Sequence, residues 1–70
     1  MKLSARNVLK GTVKKLIHGT VNTEVLIELP GGDTIVAMIT KQSAASLNLQ
    51  EGKSAYAVIK ASHVIVGVDA

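Results

Sequence analysis

Cysteine is absent from the 70 residues, so neither a disulfide nor a thiolate zinc site can stabilise the chain. Phenylalanine and tryptophan are absent too, and Tyr56 is the one aromatic residue. That scarcity counts against binding single-stranded nucleic acid, where bases stack on aromatic platforms. The acids Glu24, Glu28, Asp33, Glu51 and Asp69 have no paired arrangement suited to acid–base catalysis. No hydroxyl is spaced with a histidine and an acid as an activated nucleophile requires, so an enzyme is not expected. Two histidines, His18 and His63, are too few for a metal cage, and both read as structural. No apolar run approaches the roughly 18–20 residues of a membrane span, and the start lacks the apolar segment of a secretory signal. The expectation is a soluble, cytoplasmic protein with no membrane partner.

What is present is aliphatic. Hydrophobic residues make up 47% of the chain, mostly Val, Ile, Leu and Ala. A core this small rarely supplies more than about 3–5 kcal/mol. With disulfides and metals excluded, oligomerisation is the remaining supplement, and flat aliphatic surfaces suit subunit packing. The net charge of +3 admits anionic partners without indicating nucleic acid.

Taken in order, residues 8–17 read as a first strand, with Leu9, Val13 and Ile17 on one face. Gly11 within it marks a bulge, a bend or a close backbone approach. His18-Gly19-Thr20 is a turn, and residues 21–29 alternate as a second strand around Val21, Thr23, Val25, Ile27 and Leu29. Pro30-Gly31-Gly32-Asp33 is a hairpin turn. The third strand, 34–39, is apolar on both faces, so something beyond the monomer core must cover one of them. Residues 40–47 lose the β-branched pattern and predict a short helix with Thr40 as N-cap. A polar turn over 48–52, anchored by Leu47 and Leu49, leads to a fourth strand at 53–60 and a fifth at 64–68. The order predicts an all-β, five-stranded OB-fold-like Greek-key barrel with one short helix between strands 3 and 4. Residues 1–70 read as a single, free-standing domain without repeats or linkers.

Three polar clusters punctuate this pattern. Ser4-Ala5-Arg6-Asn7 joins a hydroxyl, a guanidinium and a carboxamide with no acid nearby. Thr40 and Ser43 open the predicted helix, where backbone N–H groups are unsatisfied. Lys60-Ala61-Ser62 closes the fourth strand. An anion with only acceptor oxygens needs donors and positive charge of this kind. Singly, each cluster also reads as a solvated charge or a helix cap. In an OB-like barrel the three converge, within one subunit or across two.

Ser4-Ala5-Arg6-Asn7 with Leu9-Lys10-Gly11 resembles the opening of the molbindins, small molybdate-binding proteins. Ile39-Thr40-x-x-Ser43 with Leu47-x-Leu49-x-x-Gly52 resembles their central segment, and Val58-Ile59-Lys60-Ala61-Ser62 with Val64 their close. The resemblance covers essentially the whole chain, in the family's order. It implies an OB-like subunit assembled as a hexamer, a trimer of dimers, holding molybdate or tungstate between subunits without an organic cofactor. It also implies that the module occurs in pairs in larger proteins, including a molybdate-responsive regulator and a transporter ATPase. By the matched motifs the oxyanion site comprises Ser4, Ala5, Arg6, Thr40, Ser43, Lys60, Ala61 and Ser62. A second site near the threefold axis is assigned to Gly19, Thr20, Val21 and Asn22. Storage or homeostasis of the oxyanion is the expected role. The rivals are an OB-fold module for single-stranded nucleic acid and a purely structural oligomerisation module.

Overall fold

The long first strand is made possible by a glycine and a bulge. In the computed structural model, which describes residues 1–69, β1 runs from Asn7 to His18. It pairs antiparallel with β4 (Ser54–Ile59) over Asn7–Thr12 and with β2 (Asn22–Glu28) over Thr12–His18. One strand thus serves two neighbours, changing over at Thr12. A Cβ on Gly11 would lie 2.5 Å from the Glu28 carbonyl oxygen and 2.7 Å from Ile27 Cγ2. Of the three meanings open for Gly11, close backbone approach is the one realised. The register shift lies instead between Val13 and Lys15.

That bulge corrects the expected faces of β1. An extra residue flips the alternation, so Val13 is buried while Leu16 packs on the core and Ile17 is 44% exposed. β3 (Thr34–Thr40) pairs with β2, giving the order β3-β2-β1-β4. Val13, Val25, Ile27 and Ala57 form the buried core, with Ile35, Ala37, Ile39 and Leu49 packed against it. Fully buried Thr23 is satisfied by the His18 ring, Oγ1 to Nδ1 at 2.9 Å. The opposite face of β3 presents Val36 and Met38 to solvent.

The expected hairpin forms, with Gly32 at φ +98° and Leu29 N–H donating to the Asp33 carbonyl at 2.7 Å. Helix α1 spans Lys41–Ser46 with Thr40 as its N-cap and Ala44 buried. Asn48 and Gly52, both at positive φ, shape the turn that follows. Leu49 anchors that turn, but Leu47 does not, being 66% exposed.

Among the described residues the chain forms four strands, and the fifth expected at 64–68 is not one of them. Lys60 leaves β4 and caps a 3₁₀ turn at Ala61–His63, which carries the chain away from the ladder. Val64, Ile65, Val66 and Val68 remain exposed. The result is an all-β fold, a curled antiparallel sheet with one short helix, open between its edge strands β3 and β4.

Candidate functional site

Asn7 and Ile59 make the last rung between β1 and β4, and the Asn7 carboxamide Nδ2 donates to the Ile59 carbonyl oxygen at 3.1 Å. Arg6 and Lys60 follow directly from this rung, so two of the three predicted clusters share one corner of the sheet. Ser4, Arg6, Lys60 and Ser62 are exposed there, and Ala5 is half-buried. In the 3₁₀ turn, His63 N–H donates to the Lys60 carbonyl at 2.9 Å and Val64 N–H to the Ala61 carbonyl at 3.2 Å. Among the described residues, the Ala61 and Ser62 N–H groups have no acceptor, and Lys60 makes no side-chain cap bond. The one ion pair among those residues, Lys14–Glu28 at 3.4 Å, lies elsewhere. Two cations without an ion pair among the described residues, two hydroxyls and two free amides therefore lie in the segments that flank this one rung. Donors of this kind are the ones an anion with only acceptor oxygens requires.

The third cluster stands at the other end. Thr40 pairs with Asn22, and Lys41 N–H donates to the Val21 carbonyl at 2.8 Å, beside the end of β1 at His18. The 12 residues of β1 separate the two ends by about 36 Å along the strand. Within one chain, Ser4–Arg6 and Lys60–Ser62 come together, while Thr40 and Ser43 do not join them. Ser43 N–H donates to Thr40 Oγ1 at 3.0 Å, and that hydroxyl donates to Ser43 Oγ at 2.7 Å. A six-residue helix adds only a small dipole, so the hydroxyls carry what this cluster can offer.

Gly19, Thr20, Val21 and Asn22 line a shallow depression of about 380 Å³ with Ile17, Glu24 and Met38. Its one charged lining residue is Glu24, which repels an anion in the isolated chain. A second, apolar groove of about 370 Å³ is lined from β2, β3 and β4, with Ile39, Leu49, Ala55, Tyr56 and Val58 among its walls. Among the described residues, no cluster of His, Asp and Glu could hold a metal ion, and no helix is long and apolar enough to cross a membrane. Two contacts are not legible in the sequence. Asn7 bonds to protein rather than standing as a free donor, and His18 ties down buried Thr23. Neither has a signature in the local pattern, because both depend on strand register.

Residues 3–66 match the TOBE domain family. A probable molybdenum-pterin-binding protein of Haemophilus influenzae is 46% identical over 99% of this chain and 100% of its own length. Molybdenum-pterin-binding protein 3 of Clostridium pasteurianum is 41% identical, covering 94% of this chain and 97% of its own. MopII from Clostridium pasteurianum superposes with a TM-score of 0.90 at 39% identity, over 96% of this chain and 100% of that one. The cytoplasmic molybdate-binding protein ModG, solved with molybdate bound, superposes at 0.95 with 55% identity over 99% of this chain and 49% of that one. By that family match and these relatives, the chain belongs to the TOBE-domain family, among its molbindin-type, molybdenum-pterin-binding members.

Proposed function

We propose that this protein binds molybdate or tungstate as the free oxyanion, without covalent ligation and without catalysis, in the cytoplasm. Residues 1–70 act as one binding unit. What supports the reading most is the Arg6–Lys60 corner, a carboxylate-free set of donors. A tetrahedral dianion offers four acceptor oxygens and no proton at neutral pH. Hydrogen bonds to charged groups contribute about 1.5–3 kcal/mol each, and micromolar binding requires about 8 kcal/mol. Ser4, Ala5, Arg6, Lys60, Ala61 and Ser62 approach that total, and the Thr40–Ser43 pair of a neighbouring copy completes it, Thr40 orienting the Ser43 hydroxyl that donates. Phosphate keeps a proton near neutral pH, and this set names no carboxylate to take it, only hydroxyls as weaker acceptors. Sulfate must be excluded by cavity size, which a rigid subunit interface enforces. The relatives' names also mention a pterin, whose ring calls for an aromatic or apolar slot. Tyr56 lines the apolar groove and not the donor corner, which favours the bare oxyanion.

Assembly is part of the proposal. The chain exposes 5521 Å² at 7.3 kDa, where a compact monomer of that mass exposes about 4,200 Å². The excess has obvious sources in the apolar segment 64–68, the apolar groove, and Val36 and Met38 on the outer face of β3. A homo-oligomer, a hexamer as a trimer of dimers, covers them, with the segment 64–68 of one copy completing the barrel of another as its fifth strand. The residues Gly19–Asn22 then come together around an axis as a second site. Many sites per assembly suit storage and homeostasis of the oxyanion.

The test is calorimetric titration with molybdate, tungstate, sulfate and phosphate on protein whose solution mass is known. Molybdate or tungstate binding that sulfate cannot match, on an oligomer, is the expected result. No heat with any of the four, on folded oligomer, overturns the reading and leaves a scaffold.

A further inference from the structure

We propose that Asn7 is a positioning residue of the oxyanion pocket, acting on the donor turn 60–63 through Ile59. The inference rests on the oxyanion reading above. Asn7 is half-buried, and its Nδ2 reaches a carbonyl 52 residues away, that of Ile59 at 3.1 Å. This bond sits on the last rung of the β1–β4 ladder. Beyond it, residues 1–6 have no regular structure, and Lys60 already belongs to the 3₁₀ turn. Rungs at strand ends open readily, so a side chain that ties the terminal carbonyl holds this one closed. Ile59 is also the residue from which Lys60, Ala61 and Ser62 depart. Holding its carbonyl sets the direction in which the unpartnered Ala61 and Ser62 amides point. Arg6 follows from the other side of the same rung. Long exposed cations reorient freely, so backbone amides are the part of this corner that can be made rigid in advance. A carboxamide suits the task, because a carboxylate there cannot donate to a carbonyl and would repel the bound anion.

The experiment compares the parent with Asn7→Ala as full chains, by titration with molybdate and sulfate and by amide hydrogen exchange. In the variant we expect molybdate affinity to fall about tenfold and sulfate affinity to fall less, so selectivity narrows. Exchange at His63, whose amide is held by the Lys60 carbonyl, should quicken, with the Val13 and Val25 amides unchanged. A uniform speeding of exchange across β1 and β2 would mark Asn7 as a general stabiliser and overturn the proposal. So would lost affinity with His63 exchange unchanged, which makes Asn7 a direct ligand, or affinity and selectivity left intact. If the parent binds no molybdate, the functional reading falls separately, and unaltered His63 exchange in Asn7→Ala would still refute the clamp.

Discussion

Thr40 and Ser43 are bonded to each other twice, the Ser43 amide donating to Thr40 Oγ1 and that hydroxyl donating onward to Ser43 Oγ. The cap therefore fixes which hydroxyl keeps a free proton. Ser43 Oγ, having accepted one proton, keeps its own O–H as a donor, while Thr40 spends its proton inside the turn. The two hydroxyls should separate on mutation. Thr40→Ala removes the N-cap and is expected to cost about 1 kcal/mol of stability, with weaker molybdate binding as well. Ser43→Ala keeps the Ser43 amide on Thr40 and should stay within about 0.5 kcal/mol of the parent while still weakening molybdate binding. Urea unfolding paired with titration distinguishes them; equal stability losses would mean the cap does not depend on Thr40.

Arg6 and Lys60 are exposed and make no ion pair among the described residues, so their removal leaves no buried charge behind. Arg6→Ala and Lys60→Ala should each weaken molybdate binding by roughly ten- to a hundredfold, the worth of one charged hydrogen bond. Folding stability should change by no more than about 0.5 kcal/mol. Arg6→Lys keeps the charge but loses the planar fork, and should recover only part of the affinity. Titration at fixed ionic strength checks all three, and a variant that binds as tightly as the parent removes that residue from the site.

Gly11 tests the fold and not the site. An added Cβ meets a backbone oxygen at 2.5 Å and the Ile27 side chain at 2.7 Å, and a carbonyl held in a sheet cannot swing away. Gly11→Ala should destabilise by about 1–3 kcal/mol, read as a lowered urea midpoint. No loss would mean β1 does not approach Glu28 so closely.

Alternation and turn chemistry made most of the fold legible. The β2 faces, the Pro30–Asp33 hairpin and the Thr40 cap all follow from local pattern, since each is decided within a few residues. Ile17 faces outward against its alternation because a bulge near Lys14 carries no local signal beyond two consecutive lysines, and it reverses every face after it. The apolar segment 64–68 reads as a strand from composition, yet a strand needs a partner edge, which pattern alone does not supply. The site divides along the same line. Strand register places Arg6 and Lys60 beside the same rung, as pairing of the first and fourth strands implies. Thr40 lies at the far end of β1, because chain order says which strands follow one another and not which ends meet.

The tail offers the decisive test of assembly. In an extended segment Val64, Val66 and Val68 share one face, with Ile65 and Gly67 on the other. An apolar groove lies between edge strands whose outer sides are unpaired, and a strand laid there gains both backbone bonds and three valine contacts. Val66→Asp puts a charge at the centre of the proposed contact, which desolvation opposes strongly, and should shift the proposed assembly towards smaller species in sedimentation. Ile65→Thr changes the other face and should leave the assembly size unaltered. In the proposed assembly Thr40 and Ser43 of a neighbouring copy complete the donor set, so Val66→Asp should also weaken molybdate binding, although no residue of that set has changed. Intact assembly in Val66→Asp would mean that the oligomer forms through another surface, such as the Val36–Met38 face of β3.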